Sequence, residues 1–186
     1  MTKLNFGSAR DRIEGFKNVD ALDWEGNTDI IWDMNKFPYP FKDDSADEIR
    51  SVECLEHISF KNTTRVLKEW YRIMKKGGQL YIQVPNAGLV MEYYVKNQIC
   101  ECCAHKPIDF EDAKGKEDCP KCRGRGEINP TRWLYTFTGA SKHDFDNHLN
   151  IFTKEILEDN LKKANFKDIE VKDDKYGWKL KISCKK

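Results

Sequence analysis

The sequence predicts an α/β fold, a mostly parallel sheet with an antiparallel hairpin at its C-terminal end, and two features carry the prediction. Strand-like runs alternate with helical periodicity along the chain. The segment Lys3-Leu4-Asn5-Phe6 is closed by Gly7, and Asn18-Val19-Asp20 follows with its carboxylate only thirteen residues beyond that glycine. In a parallel sheet a glycine after the first strand lets a ligand approach the backbone. An acid ending the second strand can accept both hydroxyls of a ribose. That pairing points to a nucleoside cofactor lying over the carboxyl ends of the strands.

The remaining elements follow in order. Strands are predicted at Thr28–Asp33, Ala46–Val52 and Gln79–Val84. Between the last two, Val66, Leu67, Trp70, Ile73 and Met74 recur at helical spacing within Asn62–Lys76, and Lys75-Lys76-Gly77-Gly78 reads as the helix stop. Thr153 reads as an N-cap for a helix carrying Ile156, Leu157 and Leu161 on one face and ending near Asn165. A strand begins at Ile169-Glu170-Val171, and Lys179–Cys184 returns beside it through Tyr176-Gly177.

The chain has 186 residues, 39% hydrophobic and 12% aromatic, which suits one domain spanning 1–186 around one core. With 32 basic and 31 acidic residues the net charge is +1, too small for a global field that would draw nucleic acid non-specifically. Nucleic acid stays open as a partner only through a local patch. No leader-like start and no apolar run of about 18 residues occurs, so the expectation is a soluble cytoplasmic protein with no membrane partner.

Five stretches occur in an order that resembles a known family: Leu4-Asn5-Phe6-Gly7-Ser8; Gly15-Phe16-Lys17-Asn18-Val19-Asp20; Phe37-Pro38-Tyr39-Pro40-Phe41 with Asp43-Asp44-Ser45-Ala46-Asp47; Leu55-Glu56-His57-Ile58; and Met74–Leu80. The chain is similar to small class I S-adenosylmethionine-dependent methyltransferases of the type 11 kind, from Lys3 to about Asn86 and again from about Leu134 to Val171. The resemblance implies a Rossmann-like sheet and S-adenosylmethionine as cofactor. Asp20 would take the ribose, Asp33 the adenine amino group, and Met34 the face of the ring. Asn5, Phe6, Gly7 and Ser8 would shape the pocket for the methionine end, with Glu53 and Cys54 where cofactor and acceptor meet. The chain departs from the family by carrying few glycines in the first loop and only Arg10-Asp11-Arg12 in place of a full first helix.

Methyl transfer from a sulfonium needs little beyond in-line positioning, and a base only where the acceptor must lose a proton. His148, in the cluster His143, Asp144, Asp146 and His148, is the first candidate base and His57 the second; a structural polar cluster is the competing explanation.

The middle of the chain, 99–130, is foreign to the resemblance. Cys100 and Cys103 form one C-x-x-C pair, Cys119 and Cys122 another, fifteen residues apart, the spacing of a four-thiolate structural Zn2+ site. Cys102 and His105 are neighbouring donors able to replace one ligand. Cys119–Gly126 also resembles half of the zinc repeat of DnaJ-type chaperones. Cys54 and Cys184 read as small buried residues. Because a parallel sheet needs both faces covered and the first crossover is short, a homodimer is expected. The leading function is methyl transfer to an unidentified acceptor. The rival is a non-catalytic module binding nucleic acid or protein, and a nicotinamide enzyme is disfavoured by the lack of G-x-G-x-x-G.

Overall fold

The computed structural model of the chain describes residues 1–96, 137–139, 144–174 and 178–186. Seven strands, β1 (Lys3–Phe6), β2 (Lys17–Asp20), β3 (Ile30–Ile31), β4 (Ala46–Val52), β5 (Met74–Pro85), β6 (Lys167–Asp173) and β7 (Lys179–Lys185), form one sheet in the order β3-β2-β1-β4-β5-β7-β6. The first five run parallel, and β7 is antiparallel to both β5 and β6. The predicted fold class is therefore the observed one.

One face of the sheet is apolar and the other polar. Leu4, Ile49 and Leu80 are paired across three strands, and Leu4, Phe6, Val19, Ile49, Leu80, Ile82, Leu180 and Ile182 belong to a single buried cluster. Onto it packs helix α1 (Thr63–Ile73), whose Val66, Leu67, Trp70 and Ile73 are fully buried. Each such side chain stabilises the fold by about 2 kcal/mol through burial. Helix α3 (Lys154–Lys163) contributes Leu157 and Leu161 beside it. A further helix, α2 (Ala87–Lys96), follows β5. The alternate residues, among them Lys3 paired to Glu48 and Arg50 lying over the Tyr81 ring, form the opposite face. None of the connections β1–β2, β2–β3 and β3–β4 contains a helix, and a polar face tolerates that, whereas a sheet apolar on both faces would not.

Where the helix between β3 and β4 is missing, an aromatic loop fills the space. The Phe6 ring lies 5.7 Å from Tyr39, 5.9 Å from Phe41 and 5.4 Å from Trp70. Glu69 and Arg72 of α1 pin that loop. Glu69 Oε2 accepts from the Tyr39 amide at 2.7 Å and from Arg72 Nη2 at 2.7 Å, while Arg72 Nη1 donates to the Phe41 carbonyl at 2.8 Å and to Asp43 at 2.6 Å.

Several boundaries differ from those predicted. β3 is two residues, not the whole of Thr28–Asp33, because Asp29 turns inward to accept from the Asn18 amide and from Arg12. Helix α1 ends at Ile73 because Met74 is already extended (ψ 142°) and paired with Ala46. Lys75-Lys76-Gly77-Gly78 is thus no helix stop but a bulge in β5: Ala46 pairs with Met74 and Glu48 with Gln79, so the four residues loop out, with Gly77 at φ 78°. Thr153 caps α3, accepting from the Ile156 amide at 3.3 Å, but Ile156 itself is 40% exposed rather than on the buried face, one residue out of phase with Leu157 and Leu161. Cys54 and Cys184 are buried free thiols, as expected.

The Arg72 guanidinium, followed by the Tyr39 amide, holds the Glu69 carboxyl below its usual range. Such a group stabilises the fold above its unfolded pKa and loses that contribution as pH falls through the lower folded value. Glu69→Gln is expected to cost about 2 kcal/mol at pH 7 and progressively less below about pH 4.5, read from urea midpoints of mutant and wild type across pH 3–7. A cost independent of pH would show that the carboxylate's charge is not what pins the loop.

Candidate active site

The order of the strands reverses at β1, whose neighbours are β2 on one side and β4 on the other. Loops leaving two such strands diverge, and the crevice between them is where an open α/β sheet holds its ligand. A cavity of about 530 Å³ occupies this place. It is lined by Gly7, Ala9, Arg10 and Asp11 after β1; Asp20, Ala21 and Trp24 after β2; Asp33, Met34 and Asn35 after β3; Glu53, Cys54, His57 and Ile58 after β4; and by Phe145 and Asp146. Five carboxylates and one guanidinium give it a negative potential suited to a cationic ligand.

Gly7 sits at φ 72°, and a Cβ there would collide with the side chain of Cys54. The backbone of Gly7 therefore packs directly against the Cys54 side chain, and the Gly7 amide donates to the Val19 carbonyl at 2.8 Å. Cys54 is no nucleophile, since burial pushes its thiol well above the ordinary range.

Asp20 organises the loops around it. Its Oδ2 accepts from the Ala9 amide at 2.9 Å, and its Oδ1 from the Leu22 amide at 3.2 Å and from Trp24 Nε1 at 3.1 Å. A carboxylate offers about four acceptor sites, so capacity remains toward the cavity. Asp33 begins a tight turn, accepting from the Asn35 amide at 2.9 Å, while Met34 Sδ lies 4.0 Å from the Cys54 thiol.

Three residues predicted for the pocket do not line it. Asn5 is buried and donates to Asn18 Oδ1 at 3.0 Å, Phe6 belongs to the aromatic core, and Ser8 is buried with its hydroxyl unpartnered among the described residues. Strand alternation explains the first two, because Asn5 and Phe6 point to opposite sheet faces rather than off the strand end. Sequence reasoning passed over Trp24, whose only signal was its place four residues beyond Asp20, and gave Glu56 no part in the site.

The β4 loop carries a second group. Glu53 has φ 50°, ion-pairs with Lys179 and accepts from Gln83 at 3.4 Å. After it comes a single 3₁₀ turn, Leu55–His57. The Glu56 carbonyl accepts from the amides of Leu149 and Asn150 at 2.9 and 3.0 Å, and the Asn147 carbonyl accepts from His57 Nδ1 at 3.2 Å. This clip brings two residues ninety-one positions apart together: the rings of His57 and His148 lie 4.8 Å apart, edge to face. Both predicted bases thus sit side by side. A carbonyl can only accept, so His57 bears its proton on Nδ1 and keeps a lone pair on Nε2. Burial first, then His148, holds the His57 pKa below its ordinary value. Burial, reinforced by the negative charge of Glu53, pushes the Glu56 carboxyl up.

Cys100, Cys103, Cys119, Cys122, Cys102, His105 and His143 lie outside the described residues, as does the side chain of Asp144. Asp146 lines the cavity.

Residues 19–82 match the family model described as a methyltransferase domain. The chain has the class I methyltransferase fold. Its fold is similar to that of an S-adenosylmethionine-dependent methyltransferase from Thermotoga maritima (20% identity, TM-score 0.58, covering 100% of this chain and 82% of that one). It is likewise similar to one from Archaeoglobus fulgidus (14%, 0.59, 100% and 86%) and one from Mesorhizobium loti (15%, 0.57, 100% and 90%). No curated protein sequence matches the chain.

In this fold, Gly7→Ala adds a left-handed non-glycine residue and the collision with Cys54. The expected cost is about 2 kcal/mol, measured as a lower urea midpoint at unchanged m-value. In a Cys54→Gly background, which removes both the Sγ and the Cβ that the added carbon would strike, part of that cost should vanish; equal costs in the two backgrounds would mean the close approach is not what Gly7 serves.

Proposed function

We propose that the chain is an S-adenosylmethionine-dependent methyltransferase acting on an unidentified acceptor. The observation that carries this reading is the acidic cavity at the strand-order reversal, with Asp20 at the end of β2 facing into it. Asp20 takes the ribose hydroxyls, Asp33 the adenine amino group, and Met34 a face of the adenine. The glycine at position 7 keeps the loop low enough for the methionine end to pass. The surrounding carboxylates favour the sulfonium cation, and the reaction then needs the acceptor held in line with the C–S bond. His57 and His148 define the acceptor end: they are the groups able to take up a proton that an acceptor must lose.

The four cysteines Cys100, Cys103, Cys119 and Cys122 are assigned to a structural zinc site on their paired spacing. Zinc content should fall by one equivalent in Cys119→Ser with Cys122→Ser; an unchanged content would remove the assignment.

The cofactor reading is tested by calorimetric titration with S-adenosylhomocysteine. Wild type should bind at micromolar concentration, and Asp20→Ala should bind at least about tenfold more weakly, the loss of a charge-assisted hydrogen bond. No binding by wild type at millimolar ligand would favour the non-catalytic binding module.

A further inference from the structure

Beside the cofactor cavity, three metal-ligating side chains converge. The donor atoms of Glu56, His57 and His148 all lie within 4.8 Å of one another. Glu56 is 2% exposed and its Oε2 has no hydrogen-bond partner among the described residues. A buried, unpartnered carboxylate oxygen is costly in an apolar interior, and the carboxyl that carries it belongs to a cluster with two imidazoles. The Asn147 carbonyl holds His57 Nδ1–H and so turns the Nε2 lone pair outward, the tautomer-fixing arrangement that second-sphere carbonyls provide at metal sites. The backbone bonds from Leu149 and Asn150 to the Glu56 carbonyl fix the segment carrying His148 against the turn carrying the other two. Asp146 and Glu53 add negative charge around His57.

We propose that Glu56, His57 and His148 bind a divalent transition-metal cation at the acceptor end of the cavity. Two imidazoles and one carboxylate are a donor set for Zn2+ or a neighbouring first-row ion, with a fourth position left open. A tetrahedral ion with bonds of about 2.1 Å places its ligands about 3.4 Å apart, so the present separations close by side-chain rotation about a fixed backbone. His57 lines the cavity, which turns the open position toward it. Resting on the methyltransferase reading, this makes a hydroxyl the fitting acceptor. Bound to the ion, the hydroxyl releases its proton to solvent, its oxygen lone pair forms the O–CH3 bond, and the C–S pair passes to sulfur, leaving neutral S-adenosylhomocysteine.

The test is reconstitution of the chelator-treated full chain with Co2+, counting bound ions and following the visible bands. Wild type should take up one more equivalent than Glu56→Gln or His148→Ala, and that ion should show bands without thiolate charge transfer, which separates it from any ion held by cysteines. Glu56→Gln preserves volume at the buried position and His148 is only half-buried, so thermal melts should show both variants folded; Asp20→Ala should keep the ion. Equal stoichiometry in wild type and both variants overturns the proposal, as does an extra ion that Asp20→Ala alone abolishes. Titration of the same samples with S-adenosylhomocysteine keeps the two readings apart. Cofactor binding without the extra ion sinks the metal site only, and the extra ion without cofactor binding sinks the methyltransferase reading only.

Discussion

At Gly7 the chain leaves β1 with φ 72°, and a single added carbon there would strike Cys54 at the end of β4. The contact holds the two diverging loops together at their roots, so that everything beyond them opens into one cavity rather than two shallow grooves. Asp20 reinforces the arrangement from the β2 side, since its carboxylate binds the Ala9 amide beyond Gly7 and the Trp24 indole of its own loop. A tightly closed root and a wide mouth both follow from one residue without a side chain.

The chain achieves this with no α-helix before Thr63. A sheet whose second face is polar has no need of apolar cover there, and the apolar face recruits an aromatic loop in place of a helix. That substitution works because Glu69 and Arg72 bind the loop backbone directly, satisfying the amide and carbonyl of Tyr39 and the carbonyl of Phe41 that a helix would have satisfied internally. The bulge at Lys75–Gly78 serves the same economy, turning α1 straight into β5 with no separate connecting loop.

The acceptor side rests on a different principle. Glu56, His57 and His148 are brought together by hydrogen bonds between two segments that belong to neither the sheet nor an α-helix. The buried carboxyl is unfavourable where it stands, and sites that store such cost are the ones a ligand can relieve. The electronegative cavity and the neighbouring donor cluster are thus complementary: one fits a sulfonium, the other a small cation.

Local patterning alone was enough for the sheet class, for α1 with its buried stripe, for the Thr153 cap and for the place of Asp20, because each depends on periodicity or on a residue's position at a strand end. The predicted pocket residues Gly7, Asp20, Asp33, Met34, Glu53, Cys54 and His57 do line one cavity, whereas Asn5 and Phe6 turned inward, since whether a strand's last residues face core or ligand depends on the neighbouring strands. The same limit explains the bulge mistaken for a helix stop: only the pairing of Ala46 with Met74 shows that the strand had already begun. Pairing across ninety-one residues of His57 with His148, and the buried carboxyl of Glu56 in the same cluster, belong wholly to the tertiary structure, because no local pattern encodes which two loops will share backbone hydrogen bonds.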